Sequence, residues 1–190
     1  VQNRMAVMIL GTHLVDASTE HVLSLADRTD GLAILGGAIP TVAIERLAAR
    51  SRPLVLMAQH QILSLPTVRV DNATSSRAIT THLLNEHGLR RLAFLGNPDG
   101  SPDVEDRWRG FTDAHTALGI APPRSPIPEG LEIAHGHRAG LDILSDRYRP
   151  DGIVCANDEL ALGVLSAARE LGVDVPGDIA VTGWDDIALA

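Results

Sequence analysis

The sequence predicts an α/β fold with parallel sheets and crossover helices. Short aliphatic runs bounded by Gly, Pro, Asn or Asp alternate with amphipathic stretches, the order that parallel strands joined by helices require. Aromatic residues make up only 3% of the chain, so Ala, Leu, Val and Ile supply the apolar mass, as in strands covered by helices on both faces. With 190 residues, 45% hydrophobic and 21% charged, the chain can fill one large or two small domains.

The strand candidates, in order, are Arg4–Leu10, Gly31–Leu35, Pro53–Ala58, Thr67–Val70, Arg91–Gly96, Gly152–Ala156 and Ile179–Trp184. The helices are marked by their ends. Asp71-Asn72 can cap a helix running to about His87, with Gly88 as its stop. Ser101-Pro102 offers a cap followed by Pro at the first helical position, and Val104, Trp108, Phe111, His115 and Leu118 then recur at helical spacing up to Gly119. Asn157 precedes two acids, Asp158 and Glu159, that suit a helix N-terminus. Ala161, Val164, Leu165, Ala168 and Leu171 form one apolar face before Gly172. The stretch 119–130 contains Pro122, Pro123, Pro126 and Pro128 and reads as a plain connector.

Charge and composition narrow the function. The net charge is −8, with 16 basic residues against 24 acidic ones. Arg77, Arg90, Arg91 and Arg138 are scattered, so no basic face is expected to grip phosphates and this segment should not bind nucleic acid by itself. Cys155, the single cysteine, fits a reducing compartment. No stretch approaches the roughly 18 apolar residues of a membrane span. The chain opens almost inside a strand without a signal peptide, and the expectation is a cytoplasmic protein with an upstream piece missing.

In open parallel sheets, ligands bind beyond the carboxyl ends of the strands. That rule marks Gly36-Gly37, Ala58-Gln59-His60, Asn97 to Asp103, Asn157-Asp158 and Asp185-Asp186. Gly36-Gly37 would let the backbone approach a ligand, or simply make a turn. Asp103 and Arg107 lie four apart at a helix start. By spacing alone they read as an exposed pair worth about 0.2–0.5 kcal/mol, the alternative being that Arg107 aims a planar fork at ligand oxygens. Asn157 is a cap or a holder of hydroxyls. Asp185 is a turn residue or an acceptor for vicinal hydroxyls. Enzyme readings find less support. Glu132, His135 and His137 are close in sequence, but i, i+2 residues on a helix do not face the same way, so no metal site is expected. No GxSxG, GxGxxG or Walker loop is present, and Gly96-Asn97-Pro98-Asp99-Gly100 lacks the Lys and glycine spacing of a phosphate loop. No cofactor and no catalytic residue is assigned.

Several segments together resemble the effector-binding core of the LacI/GalR (lactose-repressor-like) family of bacterial transcription regulators. They are Val70-Asp71-Asn72 with Arg77 and His82-Leu83-Leu84, then Arg90-Arg91-Leu92-Ala93-Phe94-Leu95-Gly96, then Arg107-Trp108-Arg109-Gly110-Phe111. Pro150-Asp151-Gly152-Ile153-Val154-Cys155-Ala156-Asn157-Asp158, Ala161-Leu162-Gly163 and Asp178-Ile179-Ala180-Val181-Thr182-Gly183-Trp184-Asp185-Asp186-Ile187 complete the set. Their order and spacing agree over nearly the whole chain.

The resemblance implies two Rossmann-like lobes of the periplasmic-binding-protein type I kind, hinged around a small-molecule cleft. An incomplete N-terminal lobe would span 1–69 and a C-terminal lobe 70–190. It matches Arg107, Asn157 and Asp185 to the family's ligand-contacting arginine, asparagine and aspartate, and Asp103 to a variable polar contact. Leu131 falls where many members stack an aromatic on the ligand, a departure from the pattern, and Gln59 matches a specificity position. The implied partners are a small-molecule effector, with a carbohydrate as the default, and operator DNA reached through a helix-turn-helix that this sequence does not contain. A homodimer with no membrane association is implied as well. The first strand–helix unit of the N-terminal lobe and the segment following Ala190 are expected to be missing. A periplasmic-type sugar-binding transport protein of the same fold is the alternative reading, and an enzyme on a similar scaffold is the third.

Overall fold

Among the described residues, two separate parallel sheets of three strands organise the chain. The computed structural model describes residues 6–9, 19–50 and 52–189, and they divide into two units between Arg69 and Val70. No described helix is long and apolar enough to cross a membrane.

The N-terminal unit contains α1 (Thr19–Ala26), β1 (Leu32–Leu35), α2 (Thr41–Ala48), β2 (Leu54–Met57) and β3 (Thr67–Val68). The sheet order is β1-β2-β3, with Leu32 opposite Leu54 and Met57 opposite Val68. The period of two sends Ile34 and Leu56 into a core with Ala43, Ile44 and Leu47, while Leu35 and Met57 face outward. Gly36 belongs to this packing. A Cβ there would lie 1.9 Å from the Ala58 carbonyl oxygen, so its bareness serves backbone contact with the end of β2 rather than an approach to a ligand. Of the expected strand Arg4–Leu10, residues 4, 5 and 10 lie outside the described ones. Residues 6–9 are exposed and carry no strand, because no described neighbour completes a backbone ladder with them.

The C-terminal unit contains α3 (Asn72–Asn85), β4 (Leu92–Leu95), a 3-10 turn (Pro98–Gly100), α4 (Pro102–Ala117), α5 (Ile133–Ser145), β5 (Gly152–Cys155), α6 (Asp158–Leu171) and β6 (Ala180–Thr182). The order β4-β5-β6 puts β5 at the centre, and all four of its residues are buried, as an aliphatic strand covered on both faces should be. Three helices start where a side chain caps them: Asp71 accepts from Thr74 N–H, Ser101 from Val104 N–H and Asn157 from Leu160 N–H. The inner face of α4 carries Phe111, stacked on Trp108 at 5.4 Å and tilted against Phe94 at 5.6 Å. His115 extends that face into the core, its Nδ1 2.8 Å from the Phe111 carbonyl oxygen.

The helices approach each other through glycines. α5 and α6 meet at Gly163, where a Cβ would lie 2.3 Å from the Ile133 carbonyl oxygen, and at Gly136, where it would lie 2.2 Å from that of Leu160. α3 and α4 meet at Gly110, and there Ser76 Oγ also donates to the Arg107 carbonyl at 2.6 Å. The Pro-rich stretch is a connector with one added function. Ile127 exchanges backbone bonds with Phe94 and Gly96, closing the outer edge of β4.

Candidate functional site

The carboxyl ends of β4, β5 and β6 lead into three segments that converge on one arginine. The first is the start of α4, which carries Asp103 and Arg107. The second is the Ala156-Asn157 step into α6, and the third is the turn 183–187 after β6. Arg107 is 8% exposed, so the exposed-pair reading of Asp103 and Arg107 is wrong. Spacing could not register that this face of α4 turns inward against α3.

The guanidinium is held by groups distant in sequence. Its Nε donates to Asn72 Oδ1 at 2.8 Å and its Nη1 to the Ala156 carbonyl. The other end of the Asn72 amide donates to Asp103 Oδ1 at 2.9 Å. Asp103 and Arg107 are thus joined through Asn72, which is fully buried. The guanidinium carbon lies over the Trp184 ring, 4.5 Å from its centroid, a cation–π contact. Nη2 lies 3.7 Å from Asp185 Oδ1, an ion pair but longer than a hydrogen bond. Among the described residues, Nη2 therefore keeps its N–H groups for a further acceptor.

Asp185 sits on strained backbone at φ 106°, followed by Asp186 at φ 55°. Asp158 holds this turn: its N–H donates to the Trp184 carbonyl at 2.8 Å and its Oδ2 accepts from Ile187 N–H at 3.0 Å. Gly183 is needed for that closeness, since a Cβ would lie 2.1 Å from Asp158 Oδ1. Burial lifts the Asp185 carboxyl above its ordinary range. Arg107 opposes the rise, and Asp158, Asp103 and Glu159 add to it. Burial likewise draws the Arg107 guanidinium below its usual value, against the pull of Asp185 and Asp103. Cys155, next to this segment, is buried, and its thiol is pushed far up by desolvation, with Asp158 adding to the shift.

Asn157 is the cap of α6 and uses both ends of its amide. Its Oδ1 caps α6 at Leu160 N–H and its Nδ2 donates to the Leu131 carbonyl at 2.9 Å, leaving one N–H and one lone pair. Leu131 enters through its backbone, and the residue is 40% exposed. Gln59 lies in the N-terminal unit, where its Oε1 accepts from His60 N–H at 2.9 Å just past β2. His135 faces Glu132 at 3.9 Å and His137 faces Glu170 at 3.0 Å, so the two imidazoles point to different partners.

Sequence reasoning missed Asn72 and Trp184. Asn72 looked like half of a helix cap, and Trp184 like the last residue of a strand. The available signal for Asn72 was a second capping-type residue directly after Asp71, one more than a cap needs.

Residues 80–190 match the family model of the periplasmic binding protein-like domain. The HTH-type transcriptional repressor CytR of Escherichia coli (strain K12) is 31% identical over 171 residues, 88% of this chain and 49% of that protein. The HTH-type transcriptional repressor PurR of Klebsiella pneumoniae (strain 342) is 31% identical over 166 residues, 86% of this chain and 49% of that protein. The chain thus spans about half the length of these two relatives. Among solved structures, a LacI family transcriptional regulator from Enterococcus faecium with bound ribose matches with a TM-score of 0.78 at 27% identity, covering 90% of this chain and 64% of that one. With its paired parallel sheets, its arginine-centred polar cluster and these relatives, the chain belongs to the periplasmic binding protein-like domain family, as an effector-binding core of the LacI/GalR type.

Proposed function

We propose that this chain senses a small polyhydroxylated molecule, a sugar or sugar derivative, for a DNA-binding regulator. Arg107, Asp185, Asn157 and Asp103 make the contacts. The observation that carries this reading is the buried Arg107 fork, oriented by Asn72, Ala156 and Trp184 and left with donors beside the Asp185 carboxylate. A donor fork next to an acceptor pair suits vicinal hydroxyls, each of which both donates and accepts. Ribose held by a neighbour of the same fold supports the ligand class. The HTH-type repressor relatives support a DNA-binding regulator; in this reading it acts on operator DNA through a helix-turn-helix and as a homodimer. The effector changes DNA affinity only insofar as it prefers one state of the regulator over another.

The test is a thermal-shift screen of the chain against free sugars, sugar phosphates and nucleobases. A ligand at a hundredfold excess over Kd adds about 2.7 kcal/mol, a rise of roughly 5–10 °C for a domain of this size. Arg107→Ala and Asp185→Ala should each abolish the shift. A ligand bound equally well by both variants would show that the site lies elsewhere.

A further inference from the structure

We infer that the effector carries no negative charge, so that free sugars bind here and their phosphorylated forms are rejected. The inference rests on the proposed reading of the Arg107–Asp185 cluster as the effector site and adds a charge rule to it. Arg107 is the one cation acting on Asp185 among the described residues, whereas three further carboxylates, Asp158, Asp103 and Glu159, act on it. The guanidinium charge is already shared by Asp185 at 3.7 Å and by Asp103 through Asn72. A bound phosphate would add up to two negative charges to a site with more carboxylates than cations.

The helix ends point the same way. The N-termini of α4 and α6 open beside the cluster, and such ends attract anions through their free N–H groups and dipole. Protein oxygens occupy part of each. Asp158 N–H goes to the Trp184 carbonyl, Leu160 N–H to Asn157 Oδ1 and Val104 N–H to Ser101 Oγ. Both first turns are acidic, with Asp103 and Glu105 on α4 and Asp158 and Glu159 on α6. Among the described residues, the one cation acting on Asp185 is already paired, and both helix ends present carboxylates rather than basic side chains. Neutral hydroxyls meet no such barrier, because they donate to the carboxylates and accept from Arg107.

Calorimetric titration of the full chain with ribose, glucose and galactose, each beside its phosphate ester, tests this at low and high salt. At least one free sugar should bind, with its ester at least tenfold weaker, a difference of about 1.4 kcal/mol. The gap should narrow at high salt, where repulsion is screened. Glu159→Gln should narrow it as well, by raising ester affinity several-fold. An ester that binds as well as or better than its parent sugar overturns the charge rule and leaves the site reading standing. Six ligands without measurable binding would count against the sugar-site reading itself, and the charge rule would fall with it.

Discussion

The two units differ in what they bury. Among the described residues, the core of the N-terminal unit is wholly apolar, centred on Ile34, Ile44 and Leu56. The C-terminal unit also buries Asn72, Ser76, Thr80, Asp106, Arg107, His115, Asn157 and Asp158. Buried polar groups add little net stability even when paired, and they cost several kcal/mol when a partner is removed. A core that tolerates them is organised for something besides folding. Here Asn72, Arg107, Asn157 and Asp158 all lie within the cluster around Arg107, so the polarity of the core marks the candidate site.

The sharpest way to break this contrast is to damage each core in turn. Leu56→Ala, at a fully buried position of the N-terminal unit, should cost about 2–5 kcal/mol through lost transfer energy and a cavity. Urea unfolding would measure it, and the folded fraction should bind effector at an affinity within about twofold. A large affinity loss would mean that the apolar core also tunes the site.

Asn72→Leu should do the reverse. It leaves Arg107 Nε and Asp103 Oδ1 without their partner at a cost of about 1–3 kcal/mol, and it should remove effector binding from protein that is still folded. Intact binding in folded Asn72→Leu would show that the relay does not position Arg107. Asn157→Ala should cost about 1 kcal/mol for the lost cap of α6, measured by the same unfolding curve, and free the Leu131 carbonyl.

The smallest effect concerns pH. The Asp185 carboxyl is raised in the folded state above its ordinary value of 3.8. Between the ordinary and the raised value the folded protein holds this proton more tightly than the unfolded chain, so stability falls as pH rises through that window. Asp185→Asn should remove the penalty. At pH 7 the variant should be more stable than the parent by less than about 1 kcal/mol, since the carboxylate is nearly half exposed and screened, and the difference should vanish at acid pH. A variant that is less stable at pH 7 would mean that the Arg107 ion pair outweighs the burial.

Legibility followed local chemistry. The helices read from the sequence, α3, α4 and α6, are those whose caps are side chains: Asp71, Ser101 and Asn157. α2 and α5 start at Pro40 and Glu132 without a side-chain cap bond, and nothing local announces them. Arg107, Asn157 and Asp185 could be singled out because family spacing keeps them at element ends. Their partners stood out less: Trp184 carries only a strand signal, and Asn72 only the surplus of a second capping-type residue after Asp71.

The sequence by itself determined the alternation of strands and helices, the capped helix ends and the residue types available beyond the strands. These depend on periods of two and 3.6 and on contacts within four residues, all of which a linear reading contains. Only the tertiary structure decided that Arg107 is buried and which atoms hold it. Its hydrogen bonds reach across 35 residues to Asn72 and 49 to Ala156, and Asn72 reaches across 31 to Asp103. Bonds of that reach exist only once α3, α4 and β5 have packed, because packing brings the groups together and withdraws the water that would otherwise compete for them.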